Sequence, residues 1–162
     1  MLANISVGGE YYATSKMLEL LKMGLDKSTI ICYRRFASAL ALTKDMEEFE
    51  QLIEYGPDIN PKDTQLIRLS DSCLLKCHNN INKIKVLLNN GADPMLEYGG
   101  NERRYPKISF INKITRLLAS HKTRLSSLKP TGNVQQNHST RQICVDAIEK
   151  YEQIVKLINC KK

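Results

Sequence analysis

Apolar positions recur along this chain with helical rather than strand spacing. Candidate helices fall at 14–23, 30–42, 45–55, 66–78, 81–90, 108–120 and 140–159. Gly, Pro, Asn and Asp separate them: Pro57 and Pro61 close one segment, Pro94 another, and Gly99-Gly100-Asn101 mark a longer loop. No alternating run of useful strand length appears. Residues 126–140 (SSLKPTGNVQQNHST) hold one Leu and one Val as their only large apolar side chains, so they read as a linker or exposed loop.

The apolar pattern also repeats internally. MLELLKMGLD (17–26), FEQLIEYGPD (49–58) and IKVLLNNGAD (84–93) share an apolar residue, then Leu and a second apolar residue, then Gly and Asp at fixed offsets. The glycines Gly24, Gly56 and Gly91 lie 32 and 35 residues apart, a solenoid-like period. Met17, Leu20 and Leu21 form the apolar stripe of the first segment, Phe49, Leu52 and Ile53 that of the second, and Ile84, Leu87 and Leu88 that of the third. Met46 and Ile81 extend it one turn back; Thr14 does not. Gly after each helix suits a left-handed cap, where a Cβ would clash. The Asp two residues later suits a turn in which its carboxylate accepts backbone N–H bonds. So narrow an apolar face cannot be buried within one helix, so neighbouring units must stack. Tyr151, Ile154, Leu157 and Ile158 repeat the same offsets near the end of the sequence and suit a capping unit.

VLLNN followed by GADP resembles the second helix and exit turn of an ankyrin repeat. The likeness covers roughly residues 14–95, with FASALAL (36–42) and SDSCLLKC (70–77) in the places of small-residue first helices. The sequence departs from the family in lacking its T-P-L-H turn, in carrying Pro57 after Gly56, and throughout 96–139. The resemblance implies an all-α, ankyrin-like helical solenoid of about three to four stacked helix pairs. Within one continuous domain, repeats would occupy 1–96, a divergent basic segment with an exposed loop 97–139, and a C-terminal capping helix 140–162. The implied function is protein–protein recognition without catalysis or cofactor, through first helices and the loops near 26–30, 58–66 and 93–107. On those loops Lys62, Asp63, Thr64, Gln65, Met95, Glu97, Tyr98 and Asn101 are the candidate partner-binding residues. Short divergent arrays of this Ile-, Lys- and Asn-rich kind resemble those with which intracellular bacteria and large DNA viruses act on host proteins, which points to an effector in a host cytosol.

Composition narrows the alternatives. At 42% hydrophobic and 25% charged, 162 residues can bury a core, and no run approaches a membrane span. MLANISVGGEYY has no charged region followed by a long apolar one, so it does not read as a secretory signal. Residues 1–96 hold 11 Lys or Arg and 12 Asp or Glu, whereas 97–162 hold 13 and 5. The basic residues Arg103, Arg104, Lys107, Lys113, Arg116, Lys122, Arg124 and Lys129, with Tyr105 and Phe110 among them, make a nucleic-acid-binding helical domain the alternative reading. No RNA-binding consensus or Cys/His finger accompanies them. Lys113 and Arg116 would share one face of helix 108–120, opposite Ile108, Ile111, Ile114 and Leu118. Such an amphipathic basic helix also suits an anionic membrane or an acidic partner helix.

No phosphate-binding loop, zinc-protease or nucleophile-elbow motif is present. Five irregularly spaced Cys read as reduced thiols in a cytosolic environment. Cys73 and Cys77 would share a helix face beside His78, and read as core packing rather than a zinc site. His78, His121 and His138 are isolated in sequence; a nucleophilic pair would need the fold to bring His121 to Cys77 or Cys144. The run Asp45, Glu47, Glu48, Glu50 and Glu54 reads as compensation of a helix dipole and a solvated face.

Overall fold

The computed structural model describes residues 10–100, 107–128 and 134–160. These are mostly helical: α1 (Glu10–Lys22), α2 (Ile30–Leu42), α3 (Met46–Tyr55), α4 (Cys73–Lys76), α5 (Ile81–Asn89), α6 (Phe110–Ser127) and α7 (Val134–Asn159). A two-residue antiparallel ladder joins α5 to α6, with Glu97 of β1 (Glu97–Tyr98) opposite Ser109 of β2 (Ile108–Ser109).

Most of these helices begin at a side chain that replaces a missing backbone partner. Thr29 Oγ1 accepts from Cys32 N at 3.1 Å, Ser72 Oγ from Leu75 N at 3.3 Å and Ser109 Oγ from Asn112 N at 3.4 Å. Asp45 Oδ1 accepts from Glu47 N at 2.8 Å, and Asn80 Oδ1 from Asn82 N and Lys83 N. The acidic run therefore does begin at the α3 N-terminus, as its dipole reading requires. Glu48 goes further and accepts from both Ser15 Oγ and Thr43 Oγ1.

Helix α1 packs on α2 and α3, α3 on α5, and α5 on α7; α2 packs on α4, and α6 lies along α7. The apolar stripes read from the sequence supply this contact. Met17, Leu21, Phe49, Leu52, Ile84, Leu87, Leu88, Tyr151, Ile154 and Ile158 are all buried in one core. Full burial of side chains of this size stabilises by about 1.5–3 kcal/mol each. Thr14 is buried too, so this position is core despite its hydroxyl.

One polar residue enters that core. Lys83 of α5 is 4% exposed, and its Nζ donates to the carbonyls of Leu40 and Ala41 at 2.7 and 2.8 Å, and also to that of Thr43. These are carbonyls at the end of α2, where no further helical N–H is available. The ammonium also lies 5.3 Å from the centre of the Phe49 ring. Burial lowers the lysine pKa, while the carbonyls and the α2 dipole favour the charged form.

Gly24 and Gly91 take the left-handed conformation expected of them, at φ +89° and +87°. Gly56 does not: its φ of −73° and ψ of 178° are extended. Pro57 is the reason, since a residue before proline is driven to extended backbone. Glycine is needed there for space. A Cβ at Gly56 would meet the Phe36 ring, with Cζ at 2.7 Å, and the Leu52 carbonyl oxygen at 2.5 Å.

Three expected elements differ. The helix at 66–78 is broken into single 3-10 turns at Thr64–Leu66 and Leu69–Asp71, followed by the four-residue α4. Ser72 starts a new helix with its side chain and so interrupts the old one. Ile108 belongs to β2, and α6 starts at Phe110 and runs to Ser127. Helix α7 starts at Val134, so 134–139, His138 included, are helical rather than part of a loop. Gln and the other polar residues there are compatible with helix once α6 lies alongside.

Tyr151 of α7 joins the C-terminal helices to the rest. Its ring stacks on His78 at 6.5 Å and lies 5.9 Å from that of His121 on α6. Lys150 Nζ lies over the same ring and donates to Asn79. Burial, reinforced by Lys150, holds the His78 pKa below its ordinary 6.5, against the opposing effect of the Leu75 carbonyl on Nδ1.

Four substitutions test this packing. Lys83→Met should destabilise the protein by about 2 kcal/mol or more in urea unfolding, because it leaves buried carbonyls unpaired. Gly91→Ala should cost about 1 kcal/mol for its left-handed backbone, and Gly56→Ala about 1–3 kcal/mol for overpacking, both read from the same unfolding curves. For His78, the folded state binds a proton less readily than the unfolded state. Its contribution is present above pH 6.5 and is lost as pH falls through the folded pKa. Thermal melts at pH 7.5 and pH 5 should therefore differ less in His78→Phe than in the parent protein.

Candidate functional site

The loops between helices carry the same short turn three times. Asp26 Oδ1 accepts from Ser28 N, Asp58 Oδ1 from Asn60 N and Asp93 Oδ1 from Met95 N, at 2.9, 2.9 and 2.8 Å. These are the bonds expected of aspartates two residues past each Gly. The second and third turns are tied together. Asn60 Nδ2 donates to the Gly91 carbonyl and its Oδ1 accepts from Asp93 N, both at 2.8 Å. A little further out, Gly99 N donates to the Thr64 carbonyl at 3.0 Å.

Between the first and second loops lies a cleft of about 360 Å³. One wall is Lys27, Ser28, Thr29 and Ile30; the other is Pro57, Asp58, Pro61, Lys62 and Asp63; Tyr33 and Ile67 also line it. Tyr33 is fixed by its hydroxyl, which donates to the Ile59 carbonyl and accepts from Cys73 N, each at 3.4 Å. Burial raises the phenol's pKa well above its ordinary value, so it stays neutral. A second hollow between α6 and α7, lined by Leu118, Glu152, Val155, Lys156, Asn159 and Cys160, is shallower and has no loop at its edge.

The candidate binding residues are placed unequally. Lys62 and Asp63 line the cleft, with exposed Gln65 and half-buried Thr64 beside them. Met95 is 53% exposed at the tip of the third loop. Glu97 is exposed but paired with Lys107 at 3.0 Å. Tyr98 must be corrected: it is 5% exposed and belongs to the core. Strand alternation turns Glu97 outward and Tyr98 inward, where its hydroxyl meets that of Tyr33. Burial pushes this phenol up to about 12. Asn101 lies outside the described residues.

In the basic group, Arg103, Arg104 and Lys129, with the interleaved Tyr105, lie outside the described residues. Lys107 is neutralised by Glu97, and Lys122 by Glu152 of α7 at 2.7 Å. Arg116 and Arg124 are exposed and Lys113 half-buried on α6. The described part of this group is thus a set of dispersed charges with two ion pairs rather than a single bare cationic strip.

The resemblance names first helices as part of the expected surface, and α2 supplies the part that adjoins the cleft. Ile31 is 65% exposed there. One turn on, Arg34 Nη2 donates to the Leu66 carbonyl at 3.2 Å and Arg34 Nε lies 3.6 Å from Asp71. Ile31 interrupts the polar exposed side of α2. Of the expected 26–30 loop, Lys27, Ser28, Thr29 and Ile30 line the cleft.

The thiols are mostly core. Cys32, Cys73, Cys77 and Cys144 are buried and Cys160 exposed, all of them free. Burial pushes Cys73 and Cys77 up to about 12, far from a thiolate at neutral pH. His121 meets Tyr151. Among the described residues no three His, Cys, Asp or Glu side chains gather as metal ligands, and no helix is long and apolar enough to cross a membrane. No protein-family model, curated protein or solved structure matches the chain. Iodoacetamide added to the folded protein should label Cys160 alone at first, with the other thiols reacting only in denaturant, as followed by mass spectrometry.

Proposed function

We propose that this chain is a non-catalytic protein-recognition module whose helix pairs stack as an ankyrin-like solenoid. The observation that carries this reading is the turn built by Asp26, Asp58 and Asp93 at one offset after α1, α3 and α5. Two further features support it. Helices α1, α3, α5 and α7 contact one another in sequence order, as the second helices of stacked units would. The first helices α2, α4 and α6 each start at a Ser or Thr that caps the residue three further on. The recognition surface is the cleft of Lys27, Asp58, Lys62 and Asp63 together with the exposed side of α2.

A tagged full-length chain and its Lys62→Glu variant provide the test, each exposed to a eukaryotic cytosolic extract with and without nuclease. A discrete protein held by the parent chain after nuclease and moderate salt, and recovered about tenfold less with Lys62→Glu, is the expected result. Recovery only of nucleic-acid-dependent proteins, lost with nuclease and with rising salt, would overturn the reading in favour of the basic segment.

A further inference from the structure

Acidic residues, unlike basic ones, are divided unequally between the two sets of helices: each set holds seven Lys or Arg. Helices α2, α4 and α6 contain seven Lys or Arg and no Asp or Glu. Helices α1, α3, α5 and α7 contain nine Asp or Glu, four of them on α3. The overall charge of +7 does not require this division, since acidic residues are as numerous as basic ones in the first 96 positions.

The exposed side of α2 shows what the division creates. Ile31, Arg34 and Arg35 are exposed along it, and Ser38 is half-buried on the same stripe. The Leu66 carbonyl is held by Arg34, which brings the 50%-exposed Leu66 beside this stripe. Lys76 of α4 approaches through Asp71, which lies 3.6 Å from Arg34 and 3.9 Å from Lys76. Two large apolar side chains are thus exposed among guanidinium and ammonium groups, next to the cleft that Ile30 and Ile67 line.

We propose that this face of α2 and α4 binds an acidic segment of another protein, whose apolar side chains cover Ile31 and Leu66 and whose carboxylates meet Arg34, Arg35 and Lys76. The proposal rests on the recognition reading above and names the chemistry of its partner. Charge complementarity selects an acidic ligand. The apolar pair selects a peptide over a nucleic acid, because a phosphate backbone has nothing to set against Ile31 and Leu66. Asp71 acts in the same direction. A peptide can place its carboxylates to either side of it, whereas duplex phosphates bring a charge about every 1.7 Å of helix axis.

Selection of a phage-displayed random linear peptide library on the full chain tests this. The selected peptide is then measured by fluorescence anisotropy against the parent, Arg35→Glu, Ile31→Ser and, as a control on α1, Lys16→Glu. A consensus of acidic and apolar residues is expected, with binding weakened at least about tenfold by each of the first two variants and unchanged by the third. The substituted positions are exposed, and unchanged thermal melts confirm that folding is intact. A neutral or basic consensus, or binding indifferent to Arg35→Glu and Ile31→Ser, overturns this inference and leaves the recognition reading standing. Failure to enrich any peptide overturns this inference alone; the recognition reading stands or falls on the extract experiment with Lys62→Glu and nuclease.

Discussion

A single ammonium holds the interior of this protein in register. Helix α2 ends with the Leu40, Ala41 and Thr43 carbonyls turned toward Lys83 rather than toward water. An unpaired polar group in that position costs about 1–3 kcal/mol, so α2 cannot end there unless α5 supplies the donor. The same side chain lies over Phe49 of α3. One buried cation therefore fixes α2, α3 and α5 relative to one another. The apolar stripes bring these helices together without specifying how far one slides along the next; directional bonds from Lys83 do specify it.

Much of the architecture was legible because it is written locally. Apolar residues at helical spacing gave α1, α2, α3 and α5 close to their observed limits, and Gly24 and Gly91 marked real left-handed caps. The three aspartates form the turns their position suggests. Features that depend on a distant partner were not legible. Lys83 reads as an ordinary polar position on α5 until α2 is placed against it. Gly56 reads as a cap like the others until Pro57 and the Phe36 ring are considered together. Tyr98 reads as a loop aromatic until the ladder turns it toward Tyr33. Of the candidate site residues, Lys62, Asp63, Gln65 and Met95 are exposed, as their loop position suggests. First helices are expected to take part as a class, but which residues of α2 form the surface is not legible, because a lone exposed Ile is common on any helix.

The two sets of helices also differ in what they do physically. Helices α1, α3, α5 and α7 supply the apolar contacts that run from one end of the described fold to the other. With that contact made elsewhere, the exposed side of α2 is free of packing constraints and can bear charge and apolar side chains together. Arg34 has a part in both roles. It holds Leu66 through a backbone carbonyl while its own guanidinium remains partly exposed.

Asn60 spends both ends of its amide on the following turn, and Gly99 and Thr64 repeat the link further out. Loops that would otherwise sample many shapes independently are joined into one stiff ledge. Ordering a rotamer-rich side chain on association costs about 0.5–1.5 kcal/mol, and more when backbone must also be fixed. On this ledge the backbone is already ordered before any encounter. The entropy lost on complex formation is then largely that of the incoming chain, which favours partners that are themselves already folded or short.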